Sequence, residues 1–165
     1  MANNFEINFD PDCLVPPSSN APDRIILQNR PCLSFDKATD ETVYTPAFRM
    51  PSAYAGTGTL KLDIGYMAET VTTGDVVWAC QVEAVTDADA LDLDSASGFD
   101  TANTATVTVP GTAGYLDVAT ITLTNKDSVA AGDMVRLAIY RDANAAGDTA
   151  DNNIRFLYAT LYEEA

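Results

Sequence analysis

Along most of the chain apolar and polar residues alternate one by one, and this period of two restricts the fold more than any other feature. Successive side chains of a β-strand point to opposite faces, so strict alternation marks a strand with one face buried. Leu60, Leu62, Ile64 and Tyr66 enclose Lys61 and Asp63. Val76, Trp78, Cys80, Val82 and Ala84 oppose Val77, Ala79, Gln81 and Glu83. Ala119, Ile121 and Leu123 oppose Val118, Thr120, Thr122 and Thr124, and Val135, Leu137 and Ile139 alternate with Arg136, Ala138 and Tyr140. Valine and threonine, both favoured on pleated surfaces, dominate these runs. Further strands fit at 24–28 or 33–36, at 42–49, at 104–109 and at 153–162. Glycine- and proline-bearing breakers separate them, among them Gly56–Thr57–Gly58, Thr73–Gly74–Asp75, Pro110–Gly111 and Gly132–Asp133.

About eight such strands without an amphipathic helix predict an all-β protein, a jelly-roll-like antiparallel β-sandwich. The rival is a seven-stranded immunoglobulin-like sandwich, but its Cys–Trp–Cys spacing is missing. The aspartate-rich stretch 86–93 reads as a loop. Residues 1–22 carry four prolines and little periodicity, so they are expected to form an extended N-terminal arm ahead of a sandwich spanning 23–165. Phe5, Ile7, Phe9, Leu14 and Val15 give the arm apolar points that dock on a neighbour or on the domain itself; a frayed terminus is the alternative. The run Ile154–Tyr162 is apolar on both faces. It is either a central, covered strand or part of a subunit interface, and the interface is the expectation adopted, with Leu157 and Leu161 among its contacts.

A chain of 165 residues has room for one domain with a two-sheet core. It holds 24 acidic residues against 9 basic ones, for a net charge of −15. Such a polyanion repels phosphate, which argues against nucleic acid and against anionic membrane surfaces as partners. No stretch approaches 18 consecutive apolar residues, and the opening MANNFEINFDPD has neither the basic nor the apolar region of a secretory signal peptide. Cys13, Cys32 and Cys80 are an odd number without framework spacing, and read as reduced thiols; a Cys13–Cys32 bridge is the alternative.

Chemistry-bearing patterns are sparse. With no histidine, the usual nucleophile–histidine arrangements and most zinc sites are excluded. Among 24 acids some pair falls at almost any spacing, so paired carboxylates do not single out a glycosidase, and no enzyme, cofactor or metal is expected. Asp87, Asp89, Asp92, Asp94 and Asp100 could collect oxygen ligands for calcium, but the Asp-x-Asp-x-Asp-Gly pattern with a distal glutamate is lacking. Trp78 falls on the apolar side of its strand and is expected in the core. Tyr54, Tyr115 and Tyr140 near loops or on an outer face keep sugar recognition open, because such sites use exposed aromatic rings. Arg136, Arg141 and Arg155, at polar positions on the last two strands, are candidates for ion pairs with a neighbouring subunit. Pairs of that kind set register more than strength.

Three stretches carry a resemblance: FRMPSAYAGTGTLKLDIGYMAETVTTGDVVWACQVEAV, TANTATVTVPGTAGYLDVATITLTN and SVAAGDMVRLAIYRDANAAGDTADNNIRFLYATLYEE. The Met-Pro after an apolar strand, the GDVVW strand start, the VPGTAG turn, the AAGD turn before R-L-x-x-x-R-D and the last strand ending in glutamate resemble a β-sandwich module of tailed-phage virion proteins. The resemblance covers about 43–164. It implies a capsid decoration (cement) protein on the virion surface, made in the host cytoplasm, a homo-oligomer with a trimer favoured, partnered by the major capsid protein. Phe5, Phe9, Leu14, Arg136, Arg141, Arg155, Leu157 and Leu161 would then be interface residues. The alternative is a fibre or receptor-binding module that recognises a surface glycan.

Overall fold

A computed structural model describes residues 3–165. Among the described residues there are eleven strands and no helix: β1 (Asn3–Phe9), β2 (Asp23–Leu27), β3 (Arg30–Phe35), β4 (Glu41–Tyr44), β5 (Phe48–Arg49), β6 (Thr59–Ala68), β7 (Asp75–Val85), β8 (Asn103–Thr108), β9 (Asp117–Thr122), β10 (Met134–Arg141) and β11 (Ile154–Glu164). They form two antiparallel sheets. One has the order β2-β3-β11-β6-β9, with β1 also on β11; the other is β4-β10-β7-β8, with β5 also on β10.

The expected alternation becomes the core. Leu60, Leu62, Ile64 and Tyr66 of β6 and Ile154, Phe156, Ala159 and Leu161 of β11 face Val76, Trp78, Cys80 and Val82 of β7 and Val135, Leu137 and Ile139 of β10. Trp78 is fully buried, with its ring 5.2 Å from Phe35 edge-on and 6.4 Å from Phe156. A buried aromatic cluster of this kind dominates core energetics, each ring burying about 150–250 Å².

Three features exceed the eight expected strands. Both 24–28 and 33–36 contribute, as a hairpin (β2–β3) turned by Gln28 and Asn29, each at positive φ (48° and 62°). Two consecutive left-handed residues make the tight turn whose twist suits paired strands. The run 42–49 is broken around Pro46, which leaves β4 and β5 as separate partners of β10. The third is β1.

The N-terminal segment lies on the chain's own sandwich: β1 is extended, and the proline-bearing stretch after it runs through turns and bends. Glu6, Ile7, Asn8 and Phe9 pair with Tyr162, Leu161, Thr160 and Ala159 of β11, and Val15 forms a bridge to Tyr44 of the other sheet. The physical reason is an open edge. β3 covers only Ile154–Phe156 of β11, and β1 takes over the hydrogen-bonding groups beyond that point. Phe9 and Leu14, expected at a subunit contact, are therefore buried in the chain's own core, as is Leu161. β11 is a central strand with β6 along its other side, the covered position that was the alternative to an interface.

One buried acid ties the end of the chain to a loop. Glu163 has no exposed surface and accepts hydrogen bonds from Asn4 Nδ2 (2.7 Å), Ala55 N (2.8 Å) and Gly58 N (3.1 Å). Burial alone would raise its pKa, but these donors outweigh it and hold the carboxyl below its usual 4.5. A carboxyl depressed in the folded state adds stability above its unfolded pKa and loses it as pH falls through the folded one. Glu163→Gln is expected to cost about 1–3 kcal/mol at neutral pH in urea titration. The gap from wild type should narrow as the pH drops below 4.5.

Candidate functional site

The two outer faces differ. Over the β4-β10-β7-β8 sheet, the loop 86–102 folds down. Asp100 N donates to Val82 O (2.8 Å), Gly98 N donates to Glu83 Oε1 (2.7 Å), and Phe99 packs 5.7 Å from Tyr44 with Arg136 5.3 Å over its ring. Asp89, Asp92 and Asp100 spend their oxygens on backbone amides and a serine within reach: Thr86 N, Asp94 N with Ser95 Oγ, and Thr101 N with Asp127 N. Among the described residues no three His, Cys, Asp or Glu side chains are grouped to hold a metal.

The outer face of the other sheet is where side chains with recognition chemistry meet. Its rows follow from strand register. Glu6, Tyr162, Lys61 and Thr122 form one row across β1, β11, β6 and β9; Asn8, Thr160, Asp63 and Thr120 form the next; Tyr158, Gly65 and Val118 form a third. Tyr158 and Tyr162 are four residues apart on one strand, hence about 13 Å. A register irregularity between Phe156 and Tyr158 brings the second set of β11 residues to this face.

Gly65 decides the pose of Tyr158. A Cβ at Gly65 would fall 2.2 Å from Tyr158 Cε1 and 2.4 Å from its Cζ, so the ring lies against the bare Cα of the neighbouring strand. A glycine in a strand interior commonly marks such close approach. Tyr158 is half-buried and Val118, beside it, is 40% exposed.

Next to this platform, Asp63 is held by two hydroxyls. Thr120 Oγ1 donates to Asp63 Oδ1 at 2.6 Å, and Tyr162 OH donates to the same oxygen at 3.3 Å. Thr160 Oγ1 donates to Asn8 Oδ1 at 2.7 Å, and Lys61 pairs with Glu164. Burial first, then the charges of Asp63, Glu164 and Glu6, pushes the Tyr162 phenol up to about 12. It therefore stays protonated and a donor at neutral pH.

Toward the other end the face deepens into a cavity of about 250 Å³, lined by Leu27, Cys32, Met67, Leu116 and Leu157 with Arg30. The turn carrying Tyr115 (65% exposed) and Leu116 (58% exposed) forms one rim, and the β2–β3 hairpin forms the other.

The residues singled out from sequence are distributed unevenly with respect to this face. Leu157 lines the cavity, and Tyr115 stands exposed on the turn between Gly114 and Leu116, which line it; Phe5 packs edge-on against Tyr54, 6.1 Å between centroids. Tyr54, expected near the surface, is buried. The arginines, expected to pair with a neighbour, find acids of their own chain: Arg136 with Glu83 (2.6 Å), Arg141 with Asp148 (2.6 Å) and Arg155 with Glu69. Sequence reasoning missed Tyr158, Tyr162, Asp63 and Gly65 as a group. The available signal was Asp63–Gly65 facing a Tyr-x-x-x-Tyr strand, which has meaning only once β6 and β11 are paired.

No family model matches the chain, and a search of curated proteins gives no match. Similarity appears in structure. The C-terminal CBM6, a carbohydrate-binding module of LamC, a marine laminarinase from Zobellia galactanivorans, superposes with TM-score 0.52 at 10% identity, covering 96% of this chain and 100% of that one. The CBM22-2 xylan-binding domain of Paenibacillus barcinonensis Xyn10C gives TM-score 0.52 at 8% identity, covering 98% and 99%. The fold is a jelly-roll-like β-sandwich. At these identities the likeness establishes the architecture, and function rests on the site.

Proposed function

We propose that this chain is a non-catalytic glycan-binding β-sandwich and that the outer face bearing Tyr158 and Tyr162 is its binding face. The observation that carries the proposal is the Tyr158 ring laid against Gly65 in the open sheet, beside hydroxyl and carboxylate groups with fixed hydrogen bonds. A pyranose presents an apolar C–H face and a rim of hydroxyls; a tyrosine ring meets the first and aligned donors and acceptors meet the second. Two of the solved neighbours are carbohydrate-binding modules, which supports the same reading.

Affinity electrophoresis through gels containing soluble polysaccharides tests it. Wild-type protein should be retarded by at least one polysaccharide. Tyr158→Ala should reduce that retardation about tenfold or more, the loss of roughly 1.4 kcal/mol or more of binding, while the far-UV circular dichroism stays that of a β-sandwich. Unchanged retardation of Tyr158→Ala would place binding elsewhere.

A second reading, a capsid decoration protein that oligomerises on the major capsid protein of a phage head, is supported by the motif resemblance over 43–164. Against it stand the pairing of β1 with the chain's own β11 and of the three arginines with its own acids. Light scattering of the purified protein and immunogold microscopy of virions test it. A monomer that leaves heads unlabelled would end that reading.

A further inference from the structure

Resting on the glycan-binding reading, we infer that the ligand is an uncharged glycan, and that Asp63 is the residue that selects it by accepting a hydrogen bond from a sugar hydroxyl. The charges around the tyrosine pair carry this. Tyr162 is flanked by Glu6 on β1 and by Asp63, Lys61 and Glu164 on β6 and β11. The single cation of that group, Lys61, is engaged by Glu164, so Glu6 and Asp63 are left without a countercharge. Arg155, further along β11, is taken by Glu69. Arg30 makes no ion pair among the described residues, but it sits at the hairpin end of the face beside the apolar cavity, away from Tyr162. The whole chain carries −15, so its long-range field adds to the local one. A sulfated or uronate polymer laid along Tyr158–Tyr162 would meet two unneutralised carboxylates and be repelled.

The same carboxylate is prepared for hydroxyl donors. Oδ1 of Asp63 already takes hydrogen bonds from Thr120 and Tyr162, which fix its orientation, while Oδ2 takes none from the described residues. An oriented carboxylate oxygen on an aromatic-lined face makes a charge-assisted bond to a neutral O–H donor, stronger than one between uncharged partners. An anionic sugar gains the same bond only against repulsion.

The test compares neutral polysaccharides (xylan, laminarin, mannan) with anionic ones (alginate, polygalacturonate, heparin) in affinity gels and by calorimetry, at about 20 mM and about 0.5 M salt, which bracket weak and strong screening. Wild-type protein should bind a member of the neutral panel with affinity unchanged within about twofold between the two salts, and should ignore the anionic panel. Asp63→Asn, close in shape, should weaken neutral binding about tenfold. Tyr162→Phe, which removes one of the two donors orienting the carboxylate, should weaken it less. Binding to the anionic panel that fades with salt, or neutral binding indifferent to Asp63→Asn, would overturn the inference and leave the glycan reading standing. Silence on both panels would overturn both.

Discussion

Arg141→Ala should remove about 3–5 kcal/mol of stability, read as a lower urea midpoint with an unchanged slope. Arg141 has no exposed surface. Its Nε and Nη2 reach the two oxygens of Asp148 at 2.9 and 2.6 Å, Nη1 reaches Asn152 O at 2.7 Å and Asp36 O at 3.3 Å, and Nη2 also reaches Ala150 O at 2.7 Å. Asp148 in turn accepts from Val77 N at 3.0 Å. One guanidinium thus fastens the loop 142–153 and the end of β3 to the last turn of β10. Alanine leaves a buried carboxylate without a countercharge and the carbonyls of Asn152 and Asp36 without the guanidinium donor, while Ala150 O keeps Asn152 N. Desolvation makes such a half-pair far more costly than the intact pair is favourable. Arg141→Met combined with Asp148→Leu should recover part of the loss, because the orphaned charge is gone while the carbonyls stay unmet. A loss below about 1 kcal/mol for Arg141→Ala would show that the loop reorganises to let water reach Asp148.

Gly65→Ala should strike folding and binding together. The new methyl would occupy the place of the Tyr158 ring, 2.2 Å from Cε1, far inside van der Waals contact. The ring must swing off β6, at a cost of about 1–3 kcal/mol for overpacking. With the platform displaced, retention on polysaccharide gels should fall about tenfold or more. The double variant Gly65→Ala, Tyr158→Ala separates the two effects. Removing the ring relieves the clash, so stability should return toward that of Tyr158→Ala alone, while binding stays lost. Equal stability losses for Gly65→Ala with and without Tyr158 would mean that the glycine serves the backbone and not the ring.

The core was legible because its signal is local. Each strand of β6, β7, β9 and β10 declares its buried face within a few residues, and Trp78 lies where the alternation puts it. β1 was obscured by the prolines that follow it, although Phe5, Ile7 and Phe9 keep the period of two. The β2–β3 hairpin was obscured by a turn built from Gln28 and Asn29, with no glycine to announce it. The arginines were recognised as pairing residues, but their partners Glu83, Asp148 and Glu69 lie 53, 7 and 86 positions away. With 24 acids available, only folding selects among them.

What the sequence determined by itself was the class of fold: period-two alternation, β-branched residues and regularly spaced breakers leave an acidic chain without histidine few alternatives to a β-sandwich. The tertiary structure decided which face is open. Strand register brings Tyr158 onto Gly65 and Asp63 between Thr160 and Thr120, and the descent of loop 86–102 covers the opposite sheet. Alternation is a property of neighbours in the chain, whereas a row across four strands depends on pairings between residues far apart in it, such as Asn8 and Thr160, 152 positions apart, and no local pattern encodes them.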